Sequence, residues 1–197
     1  MRTIRTKVYK FDELVVDAQQ NAIEAERANK EIDLFWWNDD AVGQIETVGF
    51  IDDVKLQYSL SYSQGDGLSF SCKSIENSVL KSFFAEILGA GKEKTAQVLI
   101  DNCSFVCTGN RGNRYSYASK SDVDYTLEDY GHNDTINCNI VVSKVLEKIE
   151  NLYMTLCKDL EKEGYAQIDY QYTDECIISD FENNEIEFTK DGKIFNS

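Results

Sequence analysis

"DDVKLQYSLSYSQGDGLSFSC", Asp52 to Cys72, decides how the rest of the chain is read. Val54, Leu56, Tyr58, Leu60 and Tyr62 recur with a period of two, which places them on one face of a strand. After Gly67 the alternation resumes, with Leu68, Phe70 and Cys72 together. Two such runs about a small polar segment predict a β-hairpin, with Ser63–Gly67 as its bend. Gly65 and Gly67 are read as supplying positive φ there, and Gln64 and Asp66 as satisfying turn N–H groups. Gly65-x-Gly67 has strands on both sides and no lysine behind it, so it is not a phosphate cradle. The five residues are all small or polar, which exceeds what a bend requires. Ser63, Gln64, Gly65, Asp66 and Gly67, with neighbouring Ser69, are therefore a candidate binding loop.

Helices and further hairpins flank this one. "TKVYKF", Thr6–Phe11, alternates as a short strand, and Leu14, Ala18, Ala22 and Ala25 then predict a helix from Asp12, its N-cap, to about Glu31. A second helix is expected from an Asn38 or Asp39 cap to about Val48. A third follows Ser74, with Val79, Phe83, Ile87 and Leu88 as its apolar face and Gly89 as its stop. Gln97–Leu127 reads as two long strands about a Gly/Asn-rich turn, Gly109–Asn113, with Arg111 and Arg114 as a basic tip. Val141, Val142, Val145, Ile149, Leu152, Tyr153, Leu156 and Leu160 mark the longest helix, with Gly164 as stop or kink. "TDECIISDFENN" adds a short helix, and "EIEFTKDGKIF" closes with an Asp191-Gly192 hairpin. The predicted class is α+β: an antiparallel meander of hairpins with helices mainly on one face, a long C-terminal helix and a final short hairpin. Residues 1–197 are expected to form a single domain with a helical subregion over 137–183.

A chain of 197 residues buries about 70% of its extended surface, so it needs no metal or disulfide staple. Cys72, Cys103, Cys107, Cys138, Cys157 and Cys176 include no CxxC pair, and His132 is the only histidine. The cysteines read as small apolar residues in a reducing compartment, and no metal or other cofactor is expected. Asp122 and Asp124 share a strand face, but paired acids carry little information in so acidic a chain. A Ser-His or Cys-His nucleophile would have to use His132, in an acidic loop, so no catalytic residue is assigned. The opening "MRTIRTKVYKF" lacks an apolar signal core, and no segment is apolar enough to span a membrane, so a cytoplasmic location is expected.

Charge is the outlier. Thirty-five acids against twenty Lys and Arg give −15, a field that repels phosphate backbones and anionic membranes. A basic protein is the partner such a field attracts. The densest aromatic cluster, Phe35-Trp36-Trp37, runs into Asn38-Asp39-Asp40. Three consecutive aromatics on a helix cannot all face one core, so Trp36, Trp37, Asp39 and Asp40 are candidate partner contacts.

"VYKFDEL", "FWWNDD", "YSQGDGLSF", the long late helix and "NEIEFTKDGKIF" together resemble an uncharacterised family of phage, prophage and plasmid proteins. Its members open with a strand, "FDEL" and an Ala-rich helix. They carry a "WSQGDGASF"-like hairpin and end on an "ANEYEFTEDGK"-like tail. The resemblance runs end to end and is most specific at Ser63–Gly67. This chain departs from it at Val15-Val16-Asp17, where Ser-Glu-Glu is usual, at Tyr62, where Trp is common, and at Leu68, where Ala is common. The resemblance implies a context, a small acidic mobile-element protein in a bacterial cytosol, and no mechanism. The leading expectation is a binding protein rather than an enzyme. It would inhibit or modulate a host protein with a basic surface, such as a CRISPR effector or another nucleic-acid-binding protein, in the manner of an anti-CRISPR or DNA mimic. The alternatives are an enzyme or small-ligand or metal-binding domain using the Ser63–Gly67 loop, and an antitoxin or regulatory component.

Overall fold

The computed structural model describes residues 7–109, 116–128 and 135–195, with side chains from 138 onward in the last segment. A 3-10 turn, Phe11–Glu13, precedes α1 (Val16–Asn29) and α2 (Phe35–Val48). Then come β1 (Phe50–Ile51), β2 (Lys55–Ser59), β3 (Gly67–Ser71) and β4 (Ser74–Ile75). Next are α3 (Asn77–Leu88), α4 (Glu93–Asn102), β5 (Cys103–Thr108) and β6 (Asp122–Leu127). α5 (Thr135–Gln171) and α6 (Asp174–Asn183) complete the set. The class is α+β. Its strands pair as three two-stranded antiparallel ladders, β1–β4, β2–β3 and β5–β6, rather than as one continuous meander. No helix among the described residues is long and apolar enough to cross a membrane.

The chain forms two compact units, one from residues up to Leu34 with those from Ala166 onward, the other from Phe35 to Tyr165. The smaller is built on three rings. Phe181 lies 5.4 Å from Phe11 and 5.0 Å from Phe188, centroid to centroid, among Leu14, Ala18, Ala22, Ile23 and Ile177. This core corrects the expected N-terminal strand and cap. Phe11 and Leu14 are both buried, and a 3-10 turn brings residues i and i+3 onto one side, so Asp12 lies inside that turn. α1 starts at Val16 and buries Ile23, while Ala25 is exposed. Among the described residues of the expected strand, only the Tyr9–Phe188 bridge remains. The C-terminal hairpin holds: Phe188 also bridges Ile194, and Gly192 turns the chain at φ 85°. A Cβ on Gly192 would sit 2.1 Å from the Ala18 carbonyl oxygen. α6 is capped by the Thr173 hydroxyl, which accepts from Cys176 N at 3.3 Å.

The larger unit holds the hairpin. β2 and β3 pair Leu56 with Phe70, Tyr58 with Leu68 and Ser59 with Gly67, so the loop between them runs from residue 60 to 66. β3 is buried on both faces, including Ser69, because α5 covers it: Tyr153 from α5 packs on Phe70 with ring centroids 4.4 Å apart. The Tyr153 hydroxyl donates to Phe70 O at 2.8 Å and accepts from Phe70 N at 3.0 Å. One rung on, Cys72 and Cys107 exchange backbone bonds of 3.0 and 3.1 Å.

Four further expectations are corrected here. α2 begins at Phe35, not at an Asn38 or Asp39 cap, because Trp37, Ala41 and Ile45 then fall at i, i+4 and i+8 and are all buried. α3 starts after β4, and its buried pair is Leu80 and Phe84, one position on from the expected Val79 and Phe83. Gln97–Asn102 belongs to α4, which buries Ala96, Leu99 and Ile100, so the second hairpin has shorter strands than expected. Gly164 does not stop the last long helix, which runs on to Gln171. It lets α5 pass close to its neighbours, since a Cβ there would lie 2.4 Å from Leu60 Cδ1 and 2.8 Å from Trp37 Cζ2. Most of the expected Gly109–Asn113 turn, Arg111, Arg114 and His132 lie outside the described residues.

Candidate functional site

The loop between β2 and β3 is organised by one carboxylate. Asp66 is buried, and its Oδ1 accepts from the hydroxyls of Ser61 (2.9 Å), Ser63 (2.9 Å) and Ser59 (3.2 Å). Its Oδ2 accepts from Ser61 N (2.7 Å), Ser63 N (2.9 Å) and the Tyr165 hydroxyl on α5 (2.6 Å). A carboxylate offers about four lone-pair directions, and six donors exhaust them. Burial alone would raise the Asp66 pKa, but donation from Tyr165, Ser63 and Ser61 outweighs it and holds the carboxyl well below the usual range. Such a group is ionised, saturated and a poor proton acceptor at neutral pH. Burial pushes the Tyr165 phenol up, and the neighbouring Asp66 charge adds to the shift.

The loop backbone is pinned as well. The Tyr117 hydroxyl donates to Gln64 O. A Cβ on Gly67 would meet Tyr117 Cδ1 at 2.4 Å and Ser116 O at 3.0 Å, so glycine is needed there for space. The left-handed residue of the loop is Tyr62, at φ 56°, whose ring lies 4.7 Å from that of Tyr165. Ser63 and Gln64 are exposed, and Ser69 is buried in β3. The structure thus gathers Ser63–Gly67 around Asp66 and adds Ser59, Ser61, Tyr117 and Tyr165, which sequence reasoning did not single out. Ser59 and Ser61 were visible as hydroxyls close to Asp66. Tyr165 left no local signal.

α2 has a different character. Trp37 is 7% exposed and packs edge-on against Tyr58 at 5.0 Å, whereas Trp36 is 79% exposed. The Trp37 indole N–H has no hydrogen-bond partner among the described residues. Trp36 meets Phe35 edge-on, with centroids 5.5 Å apart. Asp39 and Asp40 follow on the exposed side, and beyond them lies a depression of about 490 Å³ lined by Asp39, Asp40, Gly43, Gln44, Thr47 and Val48. The Gln44 amide donates to Asp40 Oδ2 and to Glu163 Oε2, both at 2.9 Å, which aligns two carboxylates beside it.

No family model, curated protein or solved structure matches this chain.

The remaining chemistry is sparse. None of the six cysteines forms a disulfide among the described residues, and burial pushes the Cys157 thiol up to about 12 and the Cys103 thiol up to about 11, so neither is a thiolate at neutral pH. Asp122 and Asp124 are exposed on the outer face of β6. Among the described residues no group of three or more His, Cys, Asp or Glu side chains is placed to hold a metal ion.

Proposed function

We propose that this chain is an acidic binding protein from a mobile genetic element. It inhibits or modulates a basic, nucleic-acid-handling host protein by direct contact, in the manner of an anti-CRISPR or another anti-defence protein. The observation that carries this reading is uncompensated negative charge. Thirty-five acids face twenty Lys and Arg, and the ion pairs among the described residues engage Asp53, Glu86, Asp174, Asp180 and Asp191. A surface of this kind steers a cationic groove towards it and competes with nucleic acid for the same Lys and Arg. The alternative of an enzyme or ligand site in the Ser63–Gly67 loop is weaker, because Asp66 already has every acceptor position filled.

The test is capture from bacterial lysate on the immobilised chain, eluted in steps from about 50 mM to about 500 mM salt. A nucleic-acid-binding protein retained at the low end and released at the high end is the expected result. A partner whose retention ignores salt would remove the mimicry. An empty column, with a nucleotide or metal found in the purified protein by mass spectrometry, would return the loop to first place.

A further inference from the structure

Trp36, Asp40, Gly43 and Thr47 stand at i, i+4, i+7 and i+11 on α2, which lines them along one stripe of about 16 Å at 1.5 Å per residue. The opposite stripe, Trp37, Ala41 and Ile45, supplies the core. The outer stripe supplies no residue to the core: all four of its residues are exposed. Trp36 is 79% exposed, and a mid-helix glycine is unfavourable relative to alanine, yet a Cβ on Gly43 would meet nothing within 4 Å. Packing does not require glycine at that position. What the missing side chain provides is close approach to the helix backbone, over the depression of about 490 Å³ beside it.

Charge then selects the occupant. α2 contains Asp39, Asp40 and Glu46 and no basic residue, and Gln44 holds Glu163 beside Asp40. None of these four acids is in an ion pair among the described residues. A second copy of this chain would bring the same carboxylates face to face, and nucleic acid would bring phosphates, so both are repelled. A cation is attracted, and an exposed indole next to paired carboxylates favours a guanidinium over an ammonium. The planar group stacks on the ring and accepts a carboxylate through parallel N–H bonds, which an ammonium cannot do. The length and pitch of the stripe fit one helix laid along another, with Gly43 at the closest approach.

We propose that the outer stripe of α2 is a docking site for an arginine-bearing helix of a protein partner. Trp36 receives a guanidinium, Asp40 and Glu163 pair with a second one, and Gly43 admits the helix. This rests on the reading that the chain acts on a basic protein, and names the surface it uses.

The experiment titrates the full chain with a synthetic helical peptide carrying arginines at i, i+4 and i+7, and with its lysine and glutamine counterparts. Intrinsic fluorescence is the reporter: both indoles emit, but only the exposed Trp36 changes its surroundings on docking. The arginine peptide binds and changes the Trp36 emission, the lysine peptide binds about fivefold more weakly, and the glutamine peptide does not bind. By isothermal titration, Trp36→Ala and the double variant D40N/E163Q each weaken the arginine peptide about tenfold. Glu150→Gln, elsewhere on α5, leaves binding unchanged. Gly43→Ala weakens binding while the melting temperature rises, a combination that a purely structural glycine would not produce. Arginine-peptide binding at full strength to Trp36→Ala and D40N/E163Q would overturn this site and leave the acidic-binder reading standing. Failure of every cationic peptide to bind at low salt would overturn both. A dimer in sedimentation that Trp36→Ala dissolves would assign the stripe to a second copy and overturn the arginine helix.

Discussion

The Asp66 loop and the outer stripe of α2 are both polar, acidic and at the surface of the same unit, and they have opposite economies. In the loop, three serine hydroxyls, two backbone N–H groups and a tyrosine converge on one carboxylate, which has no acceptor position left over. On α2 an indole, a cluster of carboxylates and a side-chain-free step face outward without ion pairs among the described residues. The acid at the centre of the most conspicuous motif is therefore committed to holding a bend. The surface with capacity to spare is an ordinary-looking helix.

The contrast breaks most readily at Asp66. Asp66→Ala strips the loop of its anchor and removes six hydrogen bonds at once, a loss of about 3 kcal/mol by chemical denaturation. A variant that kept its stability and lost partner binding would turn the loop into a contact surface and erase the distinction. The same anchor sets an acid limit. The folded pKa of Asp66 lies below the unfolded value of about 3.9, so its contribution is fully present above pH 4 and is lost as pH falls towards the folded pKa. Asp66→Asn removes that part of the acid slope, which a urea series from pH 7 down to pH 2 would read.

The two glycines sharpen the comparison further. Gly67→Ala drives a methyl into the Tyr117 ring and costs about 2 kcal/mol, whereas Gly43→Ala adds one to open space and gains about 1 kcal/mol of helix propensity. Opposite signs in a thermal melt are the expected result. The smallest effect is at Trp36, where truncation to alanine changes stability by less than about 0.5 kcal/mol, in contrast to Trp37→Ala at about 4 kcal/mol.

Much of this was legible in the sequence. Strict alternation located the β2–β3 hairpin, and the stretch "TDECIISDFENN" was read as the short helix that is α6. Phase information also showed that Phe35, Trp36 and Trp37 could not share one core. What failed was arbitration within short apolar runs. Val98, Leu99 and Ile100 satisfy a strand as well as a helix, and only the burial of Ala96 with Leu99 and Ile100 shows which period won. Gly164 was misread because its reason is not local: it yields to Leu60 and Trp37, brought close by the fold. Tyr165 was invisible for the same cause, since it meets Asp66 from 99 residues away. The motif was readable as a hairpin bend. That its acid takes a sixth donor from α5 was not.

The Tyr153 hydroxyl has a consequence for solubility. Phe70 and Cys72 point their backbone groups to the same side of β3, and a neighbouring strand satisfies only Cys72. Tyr153 fills the next rung with a single oxygen, acting as a one-residue substitute for a strand. An open rung beside an apolar β-strand is a template on which another chain can pair and begin to aggregate. By closing it from within α5, the folded protein leaves no unpaired backbone on that rung for another copy to join.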